Sequence, residues 1–290
     1  MAGADGVLAG GHSGAVDIVS LQRRCARTWP GLEQARLGEW ELRAAGGFTG
    51  RANSALPLGD PGMPLPDAVD RVVAWYAERG LRPRFQLPAR LPAAQDRRPG
   101  SSDGEVVPGV AELCDARGWI SEPWTAVMLA DPTAADAMAA DAMAAETDVW
   151  SGNGLPDPEL RWSPKPDSDW MSRYHRAGRV PPDAARRVVA AAPAHYLSLW
   201  AHGELIGIGR LALAGELAVL SAIEVVPRAR RRGLGSLITR ALVARGVQCG
   251  AALTCLQVLA DNAAAIGLYR RFGFWTDHHY RYRSPVPETS

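Results

Sequence analysis

The stretch from Ser221 to Ser236 constrains this 290-residue chain more than any other. A β-branched run, Ile223 to Val226, is stopped by Pro227 and followed by Arg228, Arg230, Arg231 and Arg232, with Gly233 and Gly235 close behind. Leu234, Leu237, Ile238, Ala241 and Leu242 then fall at i, i+3, i+4, i+7 and i+8, the spacing of an amphipathic helix. The reading is strand, basic glycine-containing loop, helix N-terminus. Such a junction aims unpaired backbone N–H groups and the positive end of a helix dipole at one point, which suits a pyrophosphate. Gly233 and Gly235 let the backbone approach an anion with no Cβ in the way. A solvated basic turn or a nucleic-acid patch is the competing reading.

The spacing Arg230-x-x-Gly233-x-Gly235 is neither the phosphate loop of nucleotide triphosphatases nor the fingerprint of a dinucleotide fold. It resembles the acetyl-CoA pyrophosphate loop of the GNAT N-acetyltransferase superfamily. A second segment, Asn262 to Phe274, resembles that superfamily's other signature, Asn-x-x-Ala-x-x-Leu-Tyr-x-x-x-Gly-Phe, at every fixed position. The whole chain resembles an actinobacterial tandem-GNAT family described variously as histone-acetyltransferase-like or as N-acetylglutamate synthase. That likeness rests on Trp29-Pro30, Gly38 to Arg43, Arg51-Ala52-Asn53-Ser54, Trp75-Tyr76, and Gly273-Phe274 with His278 to Tyr282. Members often carry an extra N-terminal SH3-like barrel. This chain starts at the segment that follows it, so no role of the barrel is carried over. Mycothiol synthase shares the tandem plan but matches less well in sequence.

The resemblance implies an α/β fold with a mixed α+β sheet, a tandem GNAT acyl-CoA N-acyltransferase whose N-terminal copy is degenerate. It implies acetyl-CoA as acyl donor. Ile223, Val225 and Val226 would pair by backbone with the pantetheine arm, where two parallel strands splay. Arg230, Arg231, Arg232, Gly233, Leu234, Gly235 and Ser236 would hold the pyrophosphate. Asn262 would touch the cofactor arm, and Tyr269 would be the general acid for the leaving thiolate. Glu224, on the strand beside the thioester, is the candidate base. Simpler readings stand beside these. Asn262 is equally well placed as a helix N-cap. Tyr269 shares an apolar face with Ala265, Leu268 and Phe272, and strand alternation can turn Glu224 towards a structural ion pair instead.

The order of elements repeats along the chain. Arg79-Gly80 before Gln86-Leu87 answers Arg245-Gly246 before Gln257-Val258, and Leu113 to Trp119 answers Leu268 to Phe274. Self-similarity on this scale suggests duplication. The first copy lacks the chemistry. Its loop, Leu58 to Pro66, has three prolines and Asp60 in place of arginines, and Cys114 stands at the tyrosine position. The expected organisation is a flexible N-terminus over 1–14, a degenerate GNAT-like domain over 15–130, and an Ala/Asp/Met-rich linker over 131–150. A catalytic domain over 151–285 and a tail over 286–290 complete it. Within the first copy, Val16 to Thr28 reads as a helix, Glu39 to Arg43 and Gly50 to Leu56 as strands, Asp67 to Arg79 as a helix, and Leu81 to Leu87 as a strand.

Composition narrows the function class. The chain is 47% hydrophobic and 22% charged, with a formal net charge of +1, so neither nucleic acid nor a membrane surface is an expected partner. Four cysteines without Cys-x-x-Cys pairing read as reduced thiols of a cytoplasmic protein, and no metal site is expected. Adjacent His278 and His279 on a strand would face opposite ways. The expected function is acetyl transfer to the primary amine of a small molecule, with an amino acid such as glutamate as a candidate acceptor, by a monomer or homodimer. Acetylation of protein lysines or N-termini, and a catalytically silent acyl-CoA sensor, are the alternatives.

Overall fold

The computed structural model describes residues 16–91, 104–131, 158–174 and 183–287. The expectations placed on 1–14, on 132–150 and on the last residues of the tail, 288–290, lie outside the described residues. The first half runs α1 (Ile18–Thr28), β1 (Glu33–Leu37), β2 (Trp40–Ala44), α2 (Leu65–Ala77), β3 (Phe85–Arg90), β4 (Gly104–Glu105), α3 (Pro108–Ala116), β5 (Ile120–Ser121) and β6 (Thr125–Ala130). The second runs β7 (Glu159–Ser163), α4 (Ser168–Arg173), α5 (Asp183–Val189), β8 (Ala194–Ala201), β9 (Glu204–Ala214) and β10 (Leu217–Val225). It continues with a 3₁₀ turn (Pro227–Ala229), α6 (Leu234–Gln248), β11 (Leu253–Leu259), α7 (Ala263–Arg271) and β12 (Trp275–Ser284).

One mixed sheet crosses the molecule in the order β4-β3-β12-β6-β11-β10-β9-β8-β7, with β5 paired to β12 and the β1–β2 hairpin apart. Its topology interlocks the halves. β6, from the first half, is inserted between β11 and β12 of the second, antiparallel to both. β12 in turn covers the exposed edge of β3. Each half thus lends its last strand to the other, and neither sheet edge is closed by its own chain segment. The repeat seen in the sequence has a structural counterpart as well. Ala55 bridges Phe85 in parallel across α2, as β10 pairs in parallel with β11 across α6.

Three sequence expectations in the first half shift. The hairpin is β1–β2, turning at Gly38-Glu39, because Glu33 to Leu37 pairs with Trp40 to Ala44. Residues 50–56 do not form a strand. Asn53 there accepts hydrogen bonds from the N–H groups of Ala45 and Gly47 and donates to the carbonyls of Phe48 and Thr49, so the backbone satisfies itself in a folded loop. The strand read at Leu81 begins at Phe85, since residues 81–84 have no ladder partner and Ala55 first meets the sheet at Phe85.

Two apolar layers sandwich the sheet. α6 and α7 bury Leu234, Ile238, Leu242, Tyr269 and Phe272 against Leu197, Leu211, Leu220 and Leu256. α1 buries Leu21 and Cys25 on the opposite face, against Val127, Leu129, Val219 and Cys255. Each large side chain so buried contributes ~1.5–3 kcal/mol relative to exposure. α6 lies close because β9 offers glycines beneath it: a Cβ at Gly209 would stand 2.8 Å from Ile238 and 2.9 Å from Leu242. Cys114, at the position answering Tyr269, is buried in the first half's core, and burial pushes its thiol up to about 11.

A buried polar chain also joins the halves. Arg43 donates to Gln86 (2.9 Å), Gln86 to Gln22 (2.9 Å), Gln22 to the Nε2 of His278 (2.6 Å), and the His278 Nδ1 bonds to Asp277 (2.8 Å). Gln22, Arg43, Gln86 and His278 are all buried. The Gln22 carbonyl is occupied by Gln86, so its amide nitrogen must face the imidazole, and a protonated His278 would set two donors against each other. Burial, opposed by the Asp277 carboxylate, holds the His278 pKa below its ordinary value. Below ~6.5 the unfolded chain takes up a proton here that the folded chain refuses. Stability should therefore be level above pH ~6.5 and fall as the pH drops towards ~5, and His278→Asn should flatten that part of the curve in pH-resolved urea melts.

Candidate active site

Everything in the cleft follows from where β10 leaves its neighbours. β10 pairs with β11 only from Leu217 to Leu220 (opposite Leu253 to Leu256), while β11 runs on to Leu259 against β6. On the other side a bulge sets Ala222 and Ile223 against Gly209 alone, between the pairs Ser221–Arg210 and Glu224–Ile208. Ala222 takes φ of +52°, a left-handed conformation rare for a residue with a Cβ. Bulges bend and over-twist a strand, so the end of β10 swings away from β11 and a gap opens between two parallel strands.

A cleft of about 1140 Å³ occupies that gap. Ile223, Glu224, Val225 and Val226 line one wall, and Arg230, Arg231, Gly233, Leu234, Gly235 and Ser236 form the floor at the start of α6. Asn262 and Tyr269 reach it from α7. Of the residues picked from the sequence, only Arg232 is not among its lining. Gly233, with φ of +71°, turns the chain into α6, and no side chain caps that helix start. The first N–H groups of α6 therefore face the cleft with the dipole behind them. Gly235 faces Leu268, to whose Cδ2 a Cβ would come within 3.3 Å.

The arginines of the loop divide their work. Arg228 lies outside the lining and pairs with Glu204. The Nε of Arg230 donates to the carbonyl of Val225 at 3.0 Å, so a ligand pairing with that carbonyl must first displace it. Arg231 lines the cleft with φ of +63°. Asn262 is the N-cap of α7, its Oδ1 accepting from the N–H of Ala265 at 3.1 Å, and it lines the cleft as well. Asn262 is thus the N-cap of α7 from a position on the cleft wall. Tyr269 is 8% exposed and packs against Phe274, with ring centroids 5.9 Å apart. Burial alone pushes its phenol up to about 12, so it stays protonated across the working range of an enzyme. The bulge leaves Glu224 half-buried on the cleft wall, where its charge acts on the Tyr174 hydroxyl.

Arg173, Ile206, Gly207, Gly267 and Arg271 also line the cleft and were not picked from the sequence. Arg173 sits at the end of α4 with its Nε buried and, among the described residues, without a hydrogen-bond partner. These residues come from β9, α4 and α7 and carry no motif of their own. Only the fact that α4 and α7 meet beside β10 brings them together. His278 and His279 take no part: one belongs to the interior chain and the other stands edge-on to Trp124. Among the described residues no three His, Cys, Asp or Glu side chains gather as a metal ion requires, and no helix is long and apolar enough to cross a membrane.

The cap on α7 can be checked directly. Asn262→Ala should lower stability by about 1 kcal/mol in chemical denaturation, and Asn262→Asp should restore most of it.

The family model described as "Probable histone acetyltransferase Rv0428c C-terminal" matches residues 15–117 and 113–283. The "Uncharacterized N-acetyltransferase YobR" of Bacillus subtilis is 24% identical over 272 residues, covering 91% of this chain and 98% of that protein. The "Probable histone acetyltransferase Rv0428c" of Mycobacterium tuberculosis is 27% identical over 273 residues, or 91% of this chain and 73% of that one. A solved GCN5-related N-acetyltransferase from Kribbella flavida superposes with a TM-score of 0.60 at 14% identity, covering 93% of this chain and 95% of its own. A tandem GNAT protein from the clavulanic acid biosynthesis pathway, solved without AcCoA, gives 0.55 at 15% identity, over 81% and 76%.

Proposed function

The chain belongs to the family described as "Probable histone acetyltransferase Rv0428c C-terminal", on a tandem GNAT fold, and from that membership we propose that it transfers an acetyl group from acetyl-CoA to an amine. The acceptor is the primary amine of a small molecule, with amino acids such as glutamate as candidates. One observation carries this reading. The uncapped start of α6, the splayed end of β10 and the buried Tyr269 all open into a single cleft.

The division of labour follows from the chemistry. The N–H groups at Gly233 to Ser236 and the guanidinium groups of Arg230 and Arg231 receive the pyrophosphate, with Arg232 supplying charge from outside the lining. Arg271, on α7 across the cleft, adds a further cation. The backbone of Ile223, Val225 and the following Val226, on the side that no longer pairs with β11, takes the amides of the pantetheine arm once Arg230 has left the Val225 carbonyl, and Asn262 abuts the same arm. Glu224 takes the proton from the acceptor ammonium, directly or through a water, so that a neutral amine attacks the thioester carbonyl. As the C–S bond breaks, Tyr269 gives its proton to the thiolate, and the second proton of the attacking nitrogen replaces it on the phenolate. A phenol held near 12 is a weak acid, yet it is always loaded, and the thiolate forms only a short reach away. The first half, with Pro64 at the start of α2 and prolines through its loop, has no comparable phosphate seat.

The printed name of the mycobacterial relative favours a second reading, acetylation of protein lysines. An assay of free CoA release with small amines and with lysine peptides side by side separates the two.

Two substitutions test the site. Gly235→Glu puts a carboxylate and a Cβ at the start of α6, and should abolish acetyl-CoA binding in calorimetry, where the native chain should bind one equivalent. Unchanged affinity would remove the loop from the site. Tyr269→Phe should lower kcat by about 10²–10⁴-fold with acetyl-CoA affinity nearly intact. A small effect on kcat with a large loss of thermal stability would make Tyr269 a packing residue only.

A further inference from the structure

The motif Arg51-Ala52-Asn53-Ser54 lies in the first half, yet its loop is built against the second. Asn53 closes the loop with four hydrogen bonds to its backbone, and Arg43 holds the carbonyl and hydroxyl of Ser54 from below. Thr49, with φ of +60°, accepts from the indole N–H of Trp29 at 3.1 Å. Phe48 and Trp29 each lean on Tyr174 at the end of α4, with ring centroids 6.1 Å away in both cases. This much hydrogen bonding makes the loop a rigid mount, and the one charged side chain it carries between Ala45 and Ser54 is Arg51.

Arg51 is half-buried, its guanidinium carbon 4.5 Å from the centre of the Trp29 ring. Arg210, fully buried on β9, lies 4.8 Å from the same ring. Its Nη2 donates to the carbonyls of Thr28 and Ala192, while among the described residues its Nε and Nη1 have no hydrogen-bond partner, nor does the buried hydroxyl of Ser221, the residue opposite it on β10. Among the described residues no carboxylate pairs with either arginine. Two cations around one indole with unmet donors are expensive to keep out of water, and an anion relieves both at once. The place adjoins the cleft wall, since the register sets Arg210 opposite Ser221 and Ile208 opposite Glu224, and Trp29 stands 6.1 Å from Tyr174 at the end of α4. Arg173, the neighbour of Tyr174, already lines the cleft.

We propose that Arg51, delivered from the N-terminal half, binds a carboxylate of the acceptor beside Glu224, so that the acceptor is an amine that also carries a carboxylate. This rests on the acetyltransferase reading and narrows it. A planar guanidinium fork stacked on an indole takes a carboxylate through two parallel hydrogen bonds, with Arg210 behind it adding to the attraction. With its carboxylate held there, the acceptor presents its amine to Glu224 and the thioester. A neutral amine leaves the positive charge unanswered, and a polycation is repelled by it. The first half then completes the acceptor site of the second, although it has no phosphate seat of its own.

The test uses the full chain and a panel of L-amino acids, glutamate included, each matched with its α-carboxamide. The native chain should prefer the acid over the amide by about ten- to a hundredfold in kcat/KM, the worth of a charge-assisted pair. Arg51→Gln should raise the acceptor KM by that factor while kcat falls much less, and should erase the preference. The KM for acetyl-CoA should not move. Arg51→Lys, which keeps the charge and loses the fork, should lie between the two, and it serves if the glutamine variant does not fold. A native preference for amides, or a preference for acids that survives Arg51→Gln, overturns the proposal and leaves the acetyltransferase reading standing. Absence of both acetyl-CoA binding and turnover sinks the two together.

Discussion

The parting of β10 from β11 after Leu220 is the constraint on which the rest of the structure depends. Two parallel strands that stayed paired to their ends would leave a filled sheet and no cleft. The bulge at Ala222 and Ile223 spends backbone strain to turn β10 aside, and that strain is held in place by the strands and helices around it. Once the strands part, the backbone edge of β10 becomes available to a ligand, and the start of α6 stands at the bottom of the gap. Gly207 and Gly209 let α6 sit low enough on β9 to hold that position.

The interlocked sheet explains how so open a feature stays stable. β11, one side of the gap, is backed along its length by β6 from the other half. β12 is buttressed by β3 and by the interior chain from Arg43 to Asp277. The N-terminal half carries no arginines in its loop from Leu58 to Pro66 and has Cys114 where the second has Tyr269, yet its β6, its α1 and the loop around Asn53 all bear on the second half. Its retention is thus accounted for by architecture and, on the proposal made for Arg51, by recognition of the acceptor.

Electrostatics in this molecule are local. A net charge of +1 conceals a strongly basic floor to the cleft and a second positive spot around Trp29, offset by acidic residues elsewhere. Burial has the opposite consequence for the two tyrosines nearest the chemistry. It holds the phenols of Tyr269 and Tyr174 at about 12 and so keeps them as proton donors, while the arginines stay charged by virtue of their intrinsic basicity.

Local chemistry was legible in the sequence. Pro227 ends a strand, glycines open a loop, the apolar spacing from Leu234 makes a helix, and a seven-residue interval puts Asn262 and Tyr269 on one face of the next. Each depends on residues within a turn or two of each other, so the chain alone determined the floor of the cleft, its cap and its phenol. Tertiary structure decided the rest. Strand exchange between the halves has no local signature, because the apolar run of β6 reads as a buried strand whichever partner it takes. Alternation could not say which way Glu224 points, since the bulge that turns it depends on the register between β9 and β10. The closed loop around Asn53 carries the residue types of a strand, and only hydrogen bonds from its side chain to backbone several residues away fold it otherwise. Arg173 and Arg271 belong to the cleft only because α4 and α7 converge on β10, a convergence that packing creates and no spacing records.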